Sequence, residues 1–174
     1  MKHSGFTLYE LLITLAIIAI TLSIATPAFN KTIQETRTKT AALALLDAIE
    51  TTRSTAVFRN QRTTLIANNQ KWHDGWSLFV DENNNGGIDQ NEQIIHVHES
   101  LDSVFTTASD PMRSQIIFIG TGEGRQLNTG GLLLGNIKIC PKIQGEGYKL
   151  MLSKGGRTRV EKLSSAACKT ALES

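Results

Sequence analysis

The sequence predicts an α+β chain: one long N-terminal helix whose second half packs on a C-terminal antiparallel β-rich domain. Three features lead there. Apolar residues run almost unbroken from Phe6 to Asn30, a stripe at helical spacing carries on to about Phe58, and from Thr63 short β-prone runs alternate with Gly, Asn, Asp and Pro. The chain has 174 residues, so the part beyond the apolar run suffices for one soluble domain with a single core.

The first element opens on a basic stub, Met1 to Gly5, and carries one charge, Glu10, before Lys31. From Leu11 to Asn30 twenty residues bear no charged side chain, about the length that one membrane-spanning helix needs. A secretory signal would place its cleavage site after the apolar stretch. Here the only plausible processing point, Gly5 before Phe6, lies in front of it, so the anchor is expected to stay in the mature chain. A carboxylate costs roughly 2.5–3.5 kcal/mol at a bilayer centre, and Glu10, near the end of the span, therefore reads as functional. Pro27 removes one backbone donor and is expected to bend the helix without ending it.

Past Asn30 the spacing of Ile33, Ala42, Leu45, Leu46, Ile49, Ala56 and Val57 predicts an amphipathic continuation, with Arg37, Lys39, Asp47, Glu50 and Arg53 on the remaining surface. Asn60 to Arg62 is the expected hinge. Candidate strands follow at Thr63–Ala67, Trp76–Val80, Gln93–His98, Val104–Thr106, Gln115–Ile119, Leu132–Ile139, Tyr148–Leu152 and Arg157–Leu163. Trp72 and Trp76 read as core anchors rather than ligand platforms.

Gly5, Phe6, Thr7, Leu8 and Glu10 together resemble the start of the type IV prepilins and of the pseudopilins of type II secretion; Tyr9 stands where that superfamily more often has an aliphatic residue. The resemblance implies cleavage after Gly5 and methylation of the new amino terminus at Phe6 by a prepilin peptidase. It also implies that Glu10 pairs with the amino terminus of a neighbouring pilin during fibre assembly. A second marker, Gly75-Trp76, then Phe79, then Asp81, Asn83, Asn85, Gly86, Asp89 and Glu92, resembles the head of GspH/FimT-type minor pilins. The implied organisation is a leader at 1–5, a transmembrane or fibre-core half-helix at 6–30, an amphipathic half at 31–58 and a globular head at 59–174. The implied location is the bacterial inner membrane, as a single-pass protein with its head outside the cytoplasm, and from there surface pili.

The chemistry the residues offer is binding, not catalysis. No nucleophile elbow, P-loop, dinucleotide fingerprint or paired cysteine ligand set occurs, and an enzyme is not expected. Gly120-Thr-Gly-Glu-Gly124 precedes no helix and reads as a strand connection, not a phosphate cradle. His96 and His98 would share a strand face but lack a third ligand, so no metal is assigned to them. Asp81, Asn83, Asn85, Gly86 and Glu92 occupy positions one, three, five, six and twelve of a calcium-loop pattern. Neither flank reads as a helix, and the alternative is a hairpin loop whose Asp and Asn side chains bond their own backbone. No cofactor is therefore expected, with calcium at Asp81–Glu92 as the one exception to test. Cys140 and Cys168, in a chain exported to an oxidising compartment, are expected to form a disulfide.

The net charge of +2 hides a segregation. Between Asp81 and Asp110 there are seven acids and no Lys or Arg, whereas from Lys138 to the end eight bases face three acids. Within that basic region Lys154-Gly155-Gly156-Arg157-Thr158-Arg159-Val160-Glu161-Lys162 would, if extended from Arg157, place two guanidiniums on one side roughly 6.6 Å apart. Paired guanidiniums suit phosphate oxygens. Gly156-Arg157-Thr158-Arg159 also resembles the Gly-Arg-x-Arg motif of FimT-like minor pilins implicated in DNA uptake during natural transformation. The expected partner is double-stranded DNA, bound without sequence preference by Arg157 and Arg159 with Lys154, Lys162 and Gly156 in support. The alternatives are a minor pseudopilin of type II secretion, or a structural priming pilin that touches no nucleic acid.

Overall fold

The computed structural model describes residues 7–172. The expected leader at 1–5, the processing point at Gly5 and Phe6, and the last two residues lie outside them. The chain divides after Ile33 into two compact units. Among the described residues the helix α1, Leu8–Arg59, is the only element of the first unit, and it enters the second.

In the first unit every described side chain from Thr7 to Ser23 is exposed, among them Leu11, Leu12, Ile13, Leu15, Ile17, Ile18, Ile20 and Leu22. Large apolar side chains thus stand exposed along this stretch, interrupted by Glu10 and a few hydroxyls. The hydroxyls of Thr14, Thr21, Ser23 and Thr26 donate to carbonyls three or four residues earlier, so they are satisfied without water. Among the described residues no helix is long and apolar enough to cross a membrane. The expected span, Leu11–Asn30, includes Ile24, Pro27 and Ala28, whose side chains are outside those described. α1 starts on a reciprocal cap that the apolar pattern does not predict. The Glu10 carboxylate accepts from the Thr7 amide (3.0 Å) and hydroxyl (2.9 Å), and the Glu10 amide donates back to the Thr7 hydroxyl (3.2 Å).

In the second unit α1 buries Thr38, Ala41, Ala42, Leu45, Ala48, Ile49, Thr52 and Ala56, spaced as one helical face. Val57 and Phe58, expected to extend that stripe, are exposed instead (49% and 91%). The stripe ends there because the helix does: Asn60 turns to φ 51°, Asn60 donates to the Val57 carbonyl and Gln61 to that of Ala56. That is a Schellman ending with asparagine in the left-handed position.

Among the described residues nine antiparallel strands follow in two sheets: β1 Thr63–Ala67, β2 Trp76–Val80, β3 Ile94–His98, β4 Val104–Ala108, β5 Gln115–Phe118, β6 Gly124–Arg125, β7 Gly135–Pro141, β8 Gly147–Leu152 and β9 Thr158–Leu163. One sheet has the order β3-β2-β1-β5-β6, the other β4-β7-β8-β9. Leu45 and Ile49 of α1 meet Leu65, Leu78, Ile116, Phe118, Ile137, Ile139 and Leu150 of the two sheets in a single core. Trp72 and Trp76 are fully buried there; the Trp72 indole donates to the Met112 carbonyl (2.8 Å) and Trp76 stacks on His98. A short helix, α2 Ser165–Leu172, follows β9 where the sequence pattern predicts only a tail.

The turn at Trp72–Asp74 is fixed to β4 through His73, whose Nδ1 accepts from the Thr106 amide (3.2 Å) and lies 3.0 Å from its hydroxyl. Burial holds the His73 pKa below its ordinary 6.5; Asp74 opposes the shift, and Lys71 and Lys142 add to it. The unfolded chain therefore binds this proton at higher pH than the folded chain does. The contribution is complete above about pH 6.5 and declines as pH falls through the window beneath it. His73→Gln is expected to flatten the loss of stability between about pH 7.5 and about pH 5.5. Urea midpoints of wild type and variant at the two pH values check it, and equal losses in both would refute the assignment.

Candidate functional site

The hairpin between β8 and β9 carries the predicted basic residues. Its turn, Ser153 to Arg157, is closed by Gly156 donating to the Ser153 carbonyl (2.9 Å) and Ser153 donating to the Arg157 carbonyl (2.9 Å). The Ser153 hydroxyl adds a bond to each side of Arg157, accepting from its amide (3.2 Å) and donating to its carbonyl (3.0 Å). Arg157 is thus in the turn rather than in β9, which begins at Thr158. Its backbone is nevertheless held by Ser153 on both sides, and its side chain is exposed.

Arg157 and Arg159 come together as two walls of one surface pocket of about 460 Å³, shared with Met151, Leu152, Ser153 and Thr158. Lys154 is at the exposed tip of the turn. Lys162 is not brought to the pair. Arg159 lies opposite Met151 and Lys162 opposite Tyr148, so the alternation of a strand puts them on opposite faces of β9. Glu161, opposite Lys149, separates them along the strand. Among the described residues, none of Lys154, Arg157, Arg159 and Lys162 takes part in a salt bridge. Their charge is therefore available to an outside anion.

One positioning residue carries no signal in the sequence pattern. Arg53, on α1, donates from Nε to the Gly122 carbonyl (3.0 Å) and from Nη2 to the Gly155 carbonyl (3.4 Å). It ties the β5–β6 connection and the β8–β9 turn to the helix at one point. The Gly120–Gly124 segment does serve as a strand connection, and it forms the floor beneath the basic turn. Gly156 has φ 73°, and an added Cβ would strike the Gly122 carbonyl and crowd Arg53 Nε and Phe118.

At the end of the hairpin away from the turn, Cys140 of β7 and Cys168 of α2 form a disulfide beside Gly147, with their Cα atoms 5.6 Å apart. The Thr107 hydroxyl donates to the Ala171 carbonyl (3.0 Å) and fixes the other end of α2. The β8–β9 hairpin lies inside the loop that the bridge closes.

The segment Asp81–Glu92 is an internally bonded loop. Asp81, fully buried, accepts from the Gly86 amide (3.1 Å) and the Thr64 hydroxyl (3.3 Å). Asp89 accepts from the Asn83 and Asn85 side-chain amides (2.6 and 2.7 Å), and Glu92 from the backbone of Glu82 and Asp89. Arg62 reaches in, donating to the Asn84 carbonyl (2.9 Å) with its Nε 3.9 Å from Asp81. A guanidinium thus stands beside the buried carboxylate. Among the described residues no group of three or more His, Cys, Asp or Glu is placed to hold a metal ion, and the His98 ring meets those of His96 and Trp76.

The family model for type II transport protein GspH matches residues 41–156, and that for the prokaryotic N-terminal methylation motif matches residues 1–26. The GspH match ends one residue before Arg157. No curated protein gives a significant match. Among solved structures, the fold is similar to the type IV minor pilin FimU of Pseudomonas aeruginosa, at 20% identity and TM-score 0.54, covering 74% of this chain and 94% of that one. It is also similar to the minor pseudopilin EpsH of the type II secretion system of Vibrio cholerae, at 13% identity and TM-score 0.52, covering 72% of this chain and 96% of that one.

Proposed function

As a member of the GspH family the chain is a minor pilin or pseudopilin of a type IV pilus or a type II secretion system, and we propose that it is a FimT-like pilin that binds DNA. The family and the similar folds are structural pilins rather than enzymes. The methylation motif implies processing by a prepilin peptidase and assembly with other pilins. In this reading the cut falls between Gly5 and Phe6, the apolar half of α1 anchors the chain in the inner membrane with the head outside the cytoplasm, and Glu10 meets the amino terminus of a neighbouring subunit in the fibre.

The observation that carries the DNA reading is the pair of exposed arginines, Arg157 in the fixed turn and Arg159 in β9, which line one surface pocket and have no ion-pair partner among the described residues. Phosphate contacts give salt-sensitive affinity and carry no base information, which suits a receptor for arbitrary sequences. One head offers few such contacts, so its affinity is expected on the order of 10⁻⁴–10⁻⁶ M, raised by avidity where several heads share a fibre.

Full-length protein in detergent micelles, titrated with unrelated duplexes at two salt concentrations, tests the reading. Arg157→Ala with Arg159→Ala is expected to weaken binding to all duplexes alike and to reduce the salt slope by about two. Equal binding by a folded double variant would refute the site. Absence of salt-sensitive binding by wild type would favour the pseudopilin or priming-pilin readings.

A further inference from the structure

The arginine pair stands at one end of a larger charged surface. In the second sheet Ile137 lies opposite Leu150, and all of Ile137, Leu150 and Leu152 belong to the core, so their side chains mark the inner face. Strand alternation then sends Lys138, Lys149, Met151, Arg159 and Glu161 to the outer face. There Lys138 is directly opposite Lys149, and Arg159, opposite Met151, is a diagonal neighbour of Lys149. α2 lies on the same face, over Cys140 and Thr107, and leaves both lysines partly exposed. A lysine in such a place lays its stem on the protein and keeps its ammonium in water.

Like charges directly opposite each other destabilise a sheet. Glu161, opposite Lys149, is the one acid among the described strand residues of this face. Among the described residues none of Lys138, Lys149, Arg159 and Glu161 takes part in a salt bridge. The repulsion is relieved by an anion from outside. Directly opposite residues are about 5 Å apart and diagonal ones about 7–8 Å, so a single phosphate or carboxylate meets two of these cations at most. A nucleic-acid backbone brings a row of phosphates and meets them all.

We propose that duplex DNA lies across this outer face, one backbone running from Arg157 and Arg159 over Lys149 to Lys138. The proposal rests on the DNA reading and extends it from the turn to the sheet. Glu161 faces the same backbone and repels it.

The experiment titrates full-length protein in detergent micelles with a fluorescent duplex at salt concentrations about fourfold apart. Lys138→Gln with Lys149→Gln is expected to lower the salt slope by about two, so that the rise in salt weakens wild type about twelvefold more than the variant. Its melting temperature should not fall, because the variant removes a repulsion. Glu161→Gln is expected to tighten duplex binding at low salt, with the gain lost to screening at high salt. On wild type, duplex should protect Lys138 and Lys149 from acetylation and leave Lys162, on the opposite face of β9, as reactive as before.

An unchanged salt slope in the lysine variant, or equal acetylation of both lysines with and without duplex, would overturn the extended surface and leave the arginine turn standing. No salt-sensitive binding by wild type would overturn both. The acetylation comparison decides the proposal even where the lysine variant fails to fold.

Discussion

Gly156→Ala is expected to destabilise the head by roughly 2–5 kcal/mol, and its neighbour Gly155→Ala hardly at all. The two glycines are adjacent in the same exposed turn, yet they meet different surroundings. Gly156 is buried with φ 73°, and a methyl group there has the Gly122 carbonyl in its path, Arg53 Nε 3.0 Å away and Phe118 3.2 Å away. The left-handed backbone costs roughly 1–2 kcal/mol for an L side chain, and overpacking a tight site adds roughly 1–3 kcal/mol. A Cβ on Gly155 meets nothing within 4 Å.

The melting temperature of Gly156→Ala should therefore fall by roughly 4–20 °C. The methyl can be relieved only by moving the turn away from Gly122, which breaks the Arg53 bridge and shifts Arg157. Duplex affinity should then drop as well, without the change in salt slope that removing a charge produces. Equal melting temperatures for the two alanine variants would show that the turn is not packed as described.

How far the sequence discloses this arrangement differs by element, for physical reasons. β1 and β2 are legible to the residue, because runs that are apolar or β-branched throughout, but for Ser77, and bounded by turn formers leave little freedom. β6 is not, since two residues carry no pattern. α2 is not legible either: Ser165–Leu172 is too short to show a stripe, and its place depends on a disulfide partner in β7 and a Thr107 bond from β4. Glu10 stands out as an isolated acid in an apolar run, but its partner within the chain is Thr7, a capping box visible in the spacing. Arg157 and Arg159 are legible as a pair of like charges two residues apart. Arg53 is not, because its role arises only where loops 69 and 102 residues further on meet the helix.

The disulfide provides the other large effect. Cys140→Ala with Cys168→Ala is expected to lower stability by roughly 3–4 kcal/mol, the loop-closure estimate for a separation of 28 residues. Both cysteines are buried, and alanine avoids introducing an unpaired hydroxyl at either site. The closed loop contains β8, the basic turn and β9, so opening it frees the unfolded chain across the whole basic hairpin. The melting temperature should fall by roughly 6–16 °C, and wild type under reducing conditions should melt with the double variant. A local tether would behave differently: the global transition would stay in place while protease removed α2 alone. That outcome would show that the bridge holds only the C-terminal helix. A global shift would show that it also stabilises the hairpin that presents Arg157 and Arg159.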